Sequence, residues 1–218
     1  MDISVVAAAR EDDSPTDEPM RIAKVADRLG YGEVWVGEGP TWDSFALATA
    51  IGLATGQTAI TAGPLPVSVR DPLTVVRGAA SAAALTGRPV GVALGASSVR
   101  VVEGVHGRSR AGVSRVLAES SRAVRRLMNG EPGEEVVPGS GFRRRLSPPG
   151  GALTVAAFGD RAIAVAAEHA DRMVLDSVSP SRFASCAAGW TRRPGGWDGR
   201  RRNWPPGCPW LWIRRPRP

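Results

Sequence analysis

The stretch Leu29-Gly30-Tyr31-Gly32-Glu33-Val34-Trp35-Val36-Gly37-Glu38 holds the end of one element and the whole of the next. Upstream of it Met20, Ala23, Val25, Ala26 and Leu29 recur at near-helical spacing, and Gly30 supplies the stop. Glu33 to Gly37 is then a short apolar run of strand character with turn residues on both sides. Ile3 to Ala9 is a run of the same kind, separated from the helix by the acidic, proline-containing loop Glu11 to Pro19. Strand, loop, helix, strand is a βαβ unit, whose crossover makes its two strands parallel.

The same rhythm continues downstream. Phe45 to Thr55 reads as an Ala-rich helix, and Ala59 to Val67 as a strand carrying Gly63, Pro64 and Pro66. Proline cannot donate to a ladder, so these mark a bulge, an edge or a bent strand end. Pro72 opens a helix through Ala84, Thr86-Gly87-Arg88-Pro89 punctuates it, and Val90 to Leu94 is a fourth strand closed by Gly95. Ser109 to Met128 is a long helix with Val113, Val116, Leu117, Val124 and Leu127 on one face, and Gly130 to Gly151 reads as a loop. Leu153 to Phe158, Arg161 to His169 and Met173 to Asp176 add strand, helix and strand. Unbroken apolar strands alternating with helices predict a parallel sheet covered on both faces. Six strands in one βα series fit either an open doubly wound sheet or a barrel.

The character changes after Ser185. Five of the seven tryptophans and six prolines fall between Trp190 and Pro218, without helical or strand periodicity. From Ala187 onward eight arginines face one acid, Asp198, so the whole formal charge of +7 sits in this tail and the first 186 residues are neutral. A neutral body lacks the electrostatic footprint of a nucleic-acid binder. The tail itself has two readings: a basic aromatic arm for nucleic acid, or the out-of-frame translation of a GC-rich gene. The domain reading is therefore 1–185 as the folded unit and 186–218 as an irregular appendage. No apolar run reaches the roughly 18 residues a membrane helix needs, and Met1-Asp2-Ile3-Ser4 lacks a signal-peptide pattern, so a cytoplasmic address is expected. Cys186 and Cys208 are too few for a disulfide framework or a four-ligand zinc site, and no metal cluster is predicted.

Taken together, three blocks resemble a known family. Leu29 to Glu38 is similar to the block that ends helix one and forms strand two in the bacterial luciferase-like monooxygenase superfamily. Leu85-Thr86-Gly87-Arg88 with Val92-Ala93-Leu94-Gly95 resembles its turn and strand four. Phe158-Gly159-Asp160-Arg161 with Ala166-Ala167-Glu168-His169-Ala170-Asp171 resembles its strand-five-to-strand-six block. Val105-His106-Gly107-Arg108 and Glu119-Ser120 look like the actinobacterial branch that uses the deazaflavin coenzyme F420. The resemblance implies a TIM-type (β/α)8 barrel, here incomplete with about six βα units. It further implies an oxidoreductase that moves a hydride between F420 and a small organic substrate, with an FMN-dependent monooxygenase of the same superfamily or a non-catalytic truncated remnant as the alternatives, and a possible homodimer.

In such a barrel the loops after the strands converge on the site. After strand two come Glu38 and Gly39; the family often carries a histidine near Gly39, and Glu38 is either its polar substitute or a solvated rim acid. After strand three, Pro64, Leu65 and Pro66 would press an apolar residue against the back of the cofactor ring. After strand four, Gly95, Ala96, Ser97 and Ser98 are small enough for close approach and carry hydroxyls. Phe158, Gly159, Asp160 and Arg161 open helix five, where free backbone amides and an arginine suit a phosphate, unless Asp160 caps the helix. His106, in a glycine-flanked loop, is the remaining candidate for proton transfer, and His169 reads as structural.

Overall fold

A computed structural model describes residues 3–7, 17–39, 42–176, 179–191 and 210–214. Its elements run β1 (Ser4–Val6), α1 (Asp17–Arg28), β2 (Glu33–Val36), α2 (Ser44–Ala54), β3 (Ala59–Pro66), α3 (Pro72–Thr86) and β4 (Val90–Gly95). After a π-helical turn at Arg100–Val105 come α4 (Val113–Met128), α5 (Gly133–Val136), β5 (Gly150–Ala156), α6 (Asp160–His169), β6 (Arg172–Asp176), α7 (Pro180–Thr191) and β7 (Trp210–Arg214).

Strand order decides between the two architectures the sequence leaves open. The sheet runs β1-β2-β3-β4-β5-β6-β7, with the first six strands parallel, each beside its sequence neighbour. A doubly wound sheet reverses direction at a switch point, whereas a barrel winds one way, as here. The sheet also curls. Flat, β2 and β6 would lie about 19 Å apart, four strand spacings; instead Arg172 on β6 reaches Glu33 on β2 through two hydrogen bonds of 2.9 and 3.0 Å. The result is a half-barrel.

Side-chain alternation sorts the two faces. Val34 and Val36, Val90, Val92 and Leu94, Leu153 and Val155, Met173 and Leu175 turn outward into the clusters shared with the helices. Trp35, Ala93, Ala156 and Val174 turn inward and form a small apolar cluster inside the curl, flanked by Val6. The helices are held at their starts by carboxylates: Asp43 accepts from Phe45 and Ala46 amides at 2.9 Å, and Asp71 accepts from the Thr74 amide at 3.0 Å. Pro72 stands at the first turn of α3, and Gly87 closes it in left-handed backbone at φ 65°.

Four expectations move. The long helix begins at Val113 rather than Ser109, since Gly112 at φ 64° breaks the chain before it, and a separate turn occupies Arg100–Val105. The loop reading of 130–151 contains the short helix α5, and β5 starts three residues early. A Cβ on Gly151 would lie 2.2 Å from Gly91 N, so glycine here lets β5 approach β4 backbone to backbone, in a strand start with no apolar pattern to read. At the other end, α7 runs through the 185/186 boundary and buries Cys186 and Ala187 in the main core. Lastly, Trp210–Arg214 pairs antiparallel with β6, from Arg172↔Arg214 to Asp176↔Trp210, so this part of the tail is a strand. The rest of the tail, and Ala8 and Ala9 of the first expected strand, lie outside the described residues.

Candidate functional site

At the carboxyl ends of the parallel strands the chain builds a mouth whose floor is the inward cluster of Trp35, Ala93, Ala156 and Val174. β3 supplies the most unusual backbone. Its register against β4 shifts between Ala62 and Leu65, and the Gly63–Pro64 peptide is cis. Gly63 sits at φ 121°, where a Cβ would come within 2.3 Å of the Ala93 carbonyl oxygen, so only glycine fits. The bulge resets the alternation of the strand. Pro64 thereby turns to the inner face: a Cβ on Gly95 would meet Pro64 Cβ at 3.2 Å and Ala156 Cβ at 3.5 Å.

This places three of the expected contacts together and turns a fourth, Leu65, away. Pro64 and Gly95 meet above the floor, with Ala96 next in the chain and half-buried. Leu65 is fully buried in the strand–helix core and so turns away from the mouth, whereas Pro66 is buried on the same face of the sheet as its ladder partner Gly95. Ser97 adopts left-handed backbone at φ 56°, uncommon for a residue with a Cβ, and its carbonyl accepts from Arg110 Nε at 2.9 Å. Ser98 is exposed and its hydroxyl accepts from the Val101 amide at 3.2 Å, ordering the turn that follows.

Glu38 is held from one side only. Arg70 donates to its Oε1 through Nε at 2.9 Å and Nη2 at 2.7 Å, and the same Nη2 reaches Asp43 Oδ2 at 2.5 Å. The guanidinium also lies 5.6 Å from the centroid of the Phe45 ring. Among the described residues Glu38 Oε2 is buried with no hydrogen-bond partner. Burial works to raise the Asp43 carboxyl, but the Arg70 bond and the amides of Ala46 and Phe45 outweigh it and hold it below the ordinary value. Burial likewise works against the Arg70 charge, and the two carboxylates more than offset it, raising Arg70. Arg70 and Asp43 escaped the sequence reading. Asp43 before an apolar helix is legible as a cap, but nothing in the sequence pairs Arg70 with a glutamate 32 residues away.

The α6 end of the mouth is open. Gly159 is the N-cap and among the described residues no side chain caps the helix, so the reading of Asp160 as a cap is set aside: Asp160 is 95% exposed and approaches Arg182 at 3.9 Å. Arg161 is exposed, and so is Phe158, at 60%, with its carbonyl accepting from Arg182 Nη2 at 2.9 Å. His106 ends the π-helical turn as an exposed residue whose backbone amide donates to the Val101 carbonyl at 3.2 Å. Among the described residues no group of three or more His, Cys, Asp or Glu could hold a metal, and no helix is long and apolar enough to cross a membrane.

A singly wound half-barrel with a bulged third strand and an apolar floor restricts the possible kin, and the family model for luciferase-like monooxygenase matches residues 1–193. The chain belongs to the luciferase-like monooxygenase family. Members of this family are oxidoreductases and monooxygenases. Solved structures with the same fold include the coenzyme F420-dependent tetrahydromethanopterin reductase from Methanopyrus kandleri, with a TM-score of 0.74 and 16% identity over 87% of this chain and 60% of that one. An F420-dependent secondary alcohol dehydrogenase in complex with an F420-acetone adduct gives 0.69 and 18% over 88% and 66%. The FMN-bound oxygenating constituent of 3,6-diketocamphane monooxygenase from Pseudomonas putida gives 0.70 and 12% over 88% and 62%. The chain thus spans about three fifths to two thirds of the length of these luciferase-like relatives. A comparison with the curated proteins gives no match.

Proposed function

We propose that this luciferase-like chain binds a deazaflavin, F420, at the mouth of the half-barrel and serves hydride transfer between it and a small organic substrate. The observation that carries the reading is the β3 bulge, which sets Pro64 over Gly95 and Ala156 above an apolar floor. A flat tricyclic ring needs an apolar face to lie on and a narrow approach at its edge, and Pro64 with Gly95 and Ala96 offers both. The ring, when bound, supplies the hydride-accepting and hydride-donating centre.

The chain's own residues then bind and orient. Pro64 supports one face of the ring, which leaves the other for substrate and fixes the approach. The uncapped start of α6, with Arg161 in its first turn, provides backbone amides and a cation for a phosphate of the cofactor tail. Phe158 stands exposed beside that helix start and is available to cover an apolar group. Glu38 keeps Oε2 for a donor on the ring or the substrate; with Oε1 committed to Arg70 it positions rather than abstracts a proton. His106, exposed and apart from these groups, is given no step. A site poor in acids and bases suits hydride transfer, which asks little of them.

The test is equilibrium titration of the purified chain with F420 and with FMN, followed by cofactor fluorescence. Saturable F420 binding that weakens at least tenfold in Pro64→Gly is expected. Saturable FMN binding without F420 binding turns the reading to the FMN-dependent members of the family. A cooperatively folded protein that binds neither overturns it.

A further inference from the structure

Below the apolar floor lies a second layer inside the curl, and it is polar. Each of the six parallel strands contributes one residue: Ser4, Glu33, Thr61, Gly91, Thr154 and Arg172. Glu33 and Arg172 are 5% and 6% exposed and meet through both carboxylate oxygens, at 2.9 and 3.0 Å. Arg172 also donates through Nε to Thr154 Oγ1 and through Nη2 to Thr61 Oγ1, each at 3.0 Å. The Thr61 hydroxyl in turn donates a hydrogen bond to Glu33 Oε1 at 2.5 Å, and Ser4 donates to Oε2 at 3.3 Å. The fourth strand contributes space: a Cβ on Gly91 would stand 2.4 Å from Thr61 Oγ1.

Such a layer is expensive to bury, and two apolar side chains of similar volume would often serve stability as well or better. Its geometry says what it does instead. Arg172 and Glu33 come from strands four positions apart, and the polar side chains of β3 and β5 between them bond to the same pair, so the network can close at one curvature only. Among the described residues the sheet has no ring closure, since β1 and β7 do not pair, and nothing in the ladder itself imposes the curl. The Arg172 guanidinium also lies 5.5 Å from the centroid of the Trp35 ring, the largest member of the floor above.

We propose that the Glu33–Arg172 pair is a cross-barrel brace that sets the curvature of the sheet and, through Trp35, the height of the floor on which the site is built. The two are positioning residues. The effect on the floor rests on the function proposed above, whereas the effect on curvature does not, and the test separates them.

Spin labels at Lys24→Cys on α1 and Glu168→Cys on α6, both exposed, report the distance across the curl in a background where Cys186 is Ala and Cys208 is Ser. One narrow distance distribution is expected with the brace intact. Glu33→Met with Arg172→Met, which removes both charges at once, is expected to melt cooperatively yet to show a distribution broadened toward longer distances. Arg172→Lys keeps the charge but cannot reach four acceptors, and a smaller broadening, or loss of cooperative melting, is expected. A narrow, unshifted distribution in either variant that folds overturns the brace. F420 titration of the same proteins is expected to show at least tenfold weaker binding where the distribution broadens. Broadened curvature in a chain whose parent binds no cofactor would uphold the brace and defeat only the cofactor reading.

Discussion

The two ends of the half-barrel spend their polar groups differently. At the amino ends of the strands, side chains claim loop amides and carbonyls at several points. Asp27 accepts from the amides of Gly56, Gln57 and Thr58 at 2.9, 2.8 and 2.8 Å, tying α1 to the turn before β3. Arg88 donates to Gly52 O, Thr55 O and Thr55 Oγ1, and to Thr58 O, tying that same turn to the start of β4. Asp171 pairs with Arg125 at 2.7 Å and accepts from the Leu153 amide at 2.8 Å. At the carboxyl ends groups stay open: among the described residues Glu38 Oε2 has no partner and α6 no capping side chain, and Phe158 stands in solvent. Loops that only connect are free to satisfy themselves, while loops that bind must keep donors, acceptors and apolar surface for something else.

Gly63 is a position where the open end is as constrained as the closed one, and it gives the largest expected effect. Gly63→Ala puts a Cβ against the Ala93 carbonyl in a backbone region that side chains avoid, for a cost on the order of 3 kcal/mol. Denaturant unfolding would show the loss, and ring binding should fall with it, because Pro64 is seated by that bulge. Retained stability would mean that the mouth is not built on the bulge at all. Next comes Arg88→Met at the closed end. It strands several half-buried carbonyls and is expected to lower stability by about 2 kcal/mol with cofactor affinity unchanged. A variant that keeps its stability but binds poorly would erase the division between the two ends.

Asp27 sharpens the comparison through pH. The amides of Gly56, Gln57 and Thr58 hold its carboxyl below the ordinary value, against a smaller opposing effect of desolvation and with help from Arg88. A lowered folded-state pKa contributes stability that is present above the unfolded value, near 3.9, and is lost as pH falls through the folded one. Acid titration of unfolding free energy should therefore decline below about pH 4, and Asp27→Asn should flatten part of that decline. An identical acid profile in the variant would show that those three amides are satisfied without the charge.

Much of the scaffold was legible because it is written locally. β2 and β4 are unbroken apolar runs between turn residues, and the helix ends at Gly30 and Gly87 carry their own stop signals. Pro64 and Gly95, at the ends of β3 and β4, stand against each other, a neighbourhood that their order in a βα series makes legible. Leu65 misled, since the bulge at Gly63 shifts the alternation by one and turns Leu65 to the helices. What is written across distance left no local trace. Glu33 looks like any strand start, and Arg172 lies 139 residues from it; only the curl makes them partners. Arg70 is hidden in the same way, and the early start of β5 rests on glycines chosen for what they omit.

Phe158 gives the smallest effect on the fold and the cleanest division between the ends. Its ring is mostly in solvent and belongs to none of the core clusters, so Phe158→Ala is expected to leave stability within about 0.5 kcal/mol of the parent. An exposed aromatic covers apolar surface only when a ligand arrives, so the whole of its contribution should appear in binding. A loss of about threefold to tenfold in cofactor or substrate affinity, corresponding to roughly 0.7–1.4 kcal/mol, is expected at unchanged melting temperature. The opposite pattern, a lowered melting temperature with affinity intact, would place Phe158 in the architecture and leave the open end with one fewer group to offer.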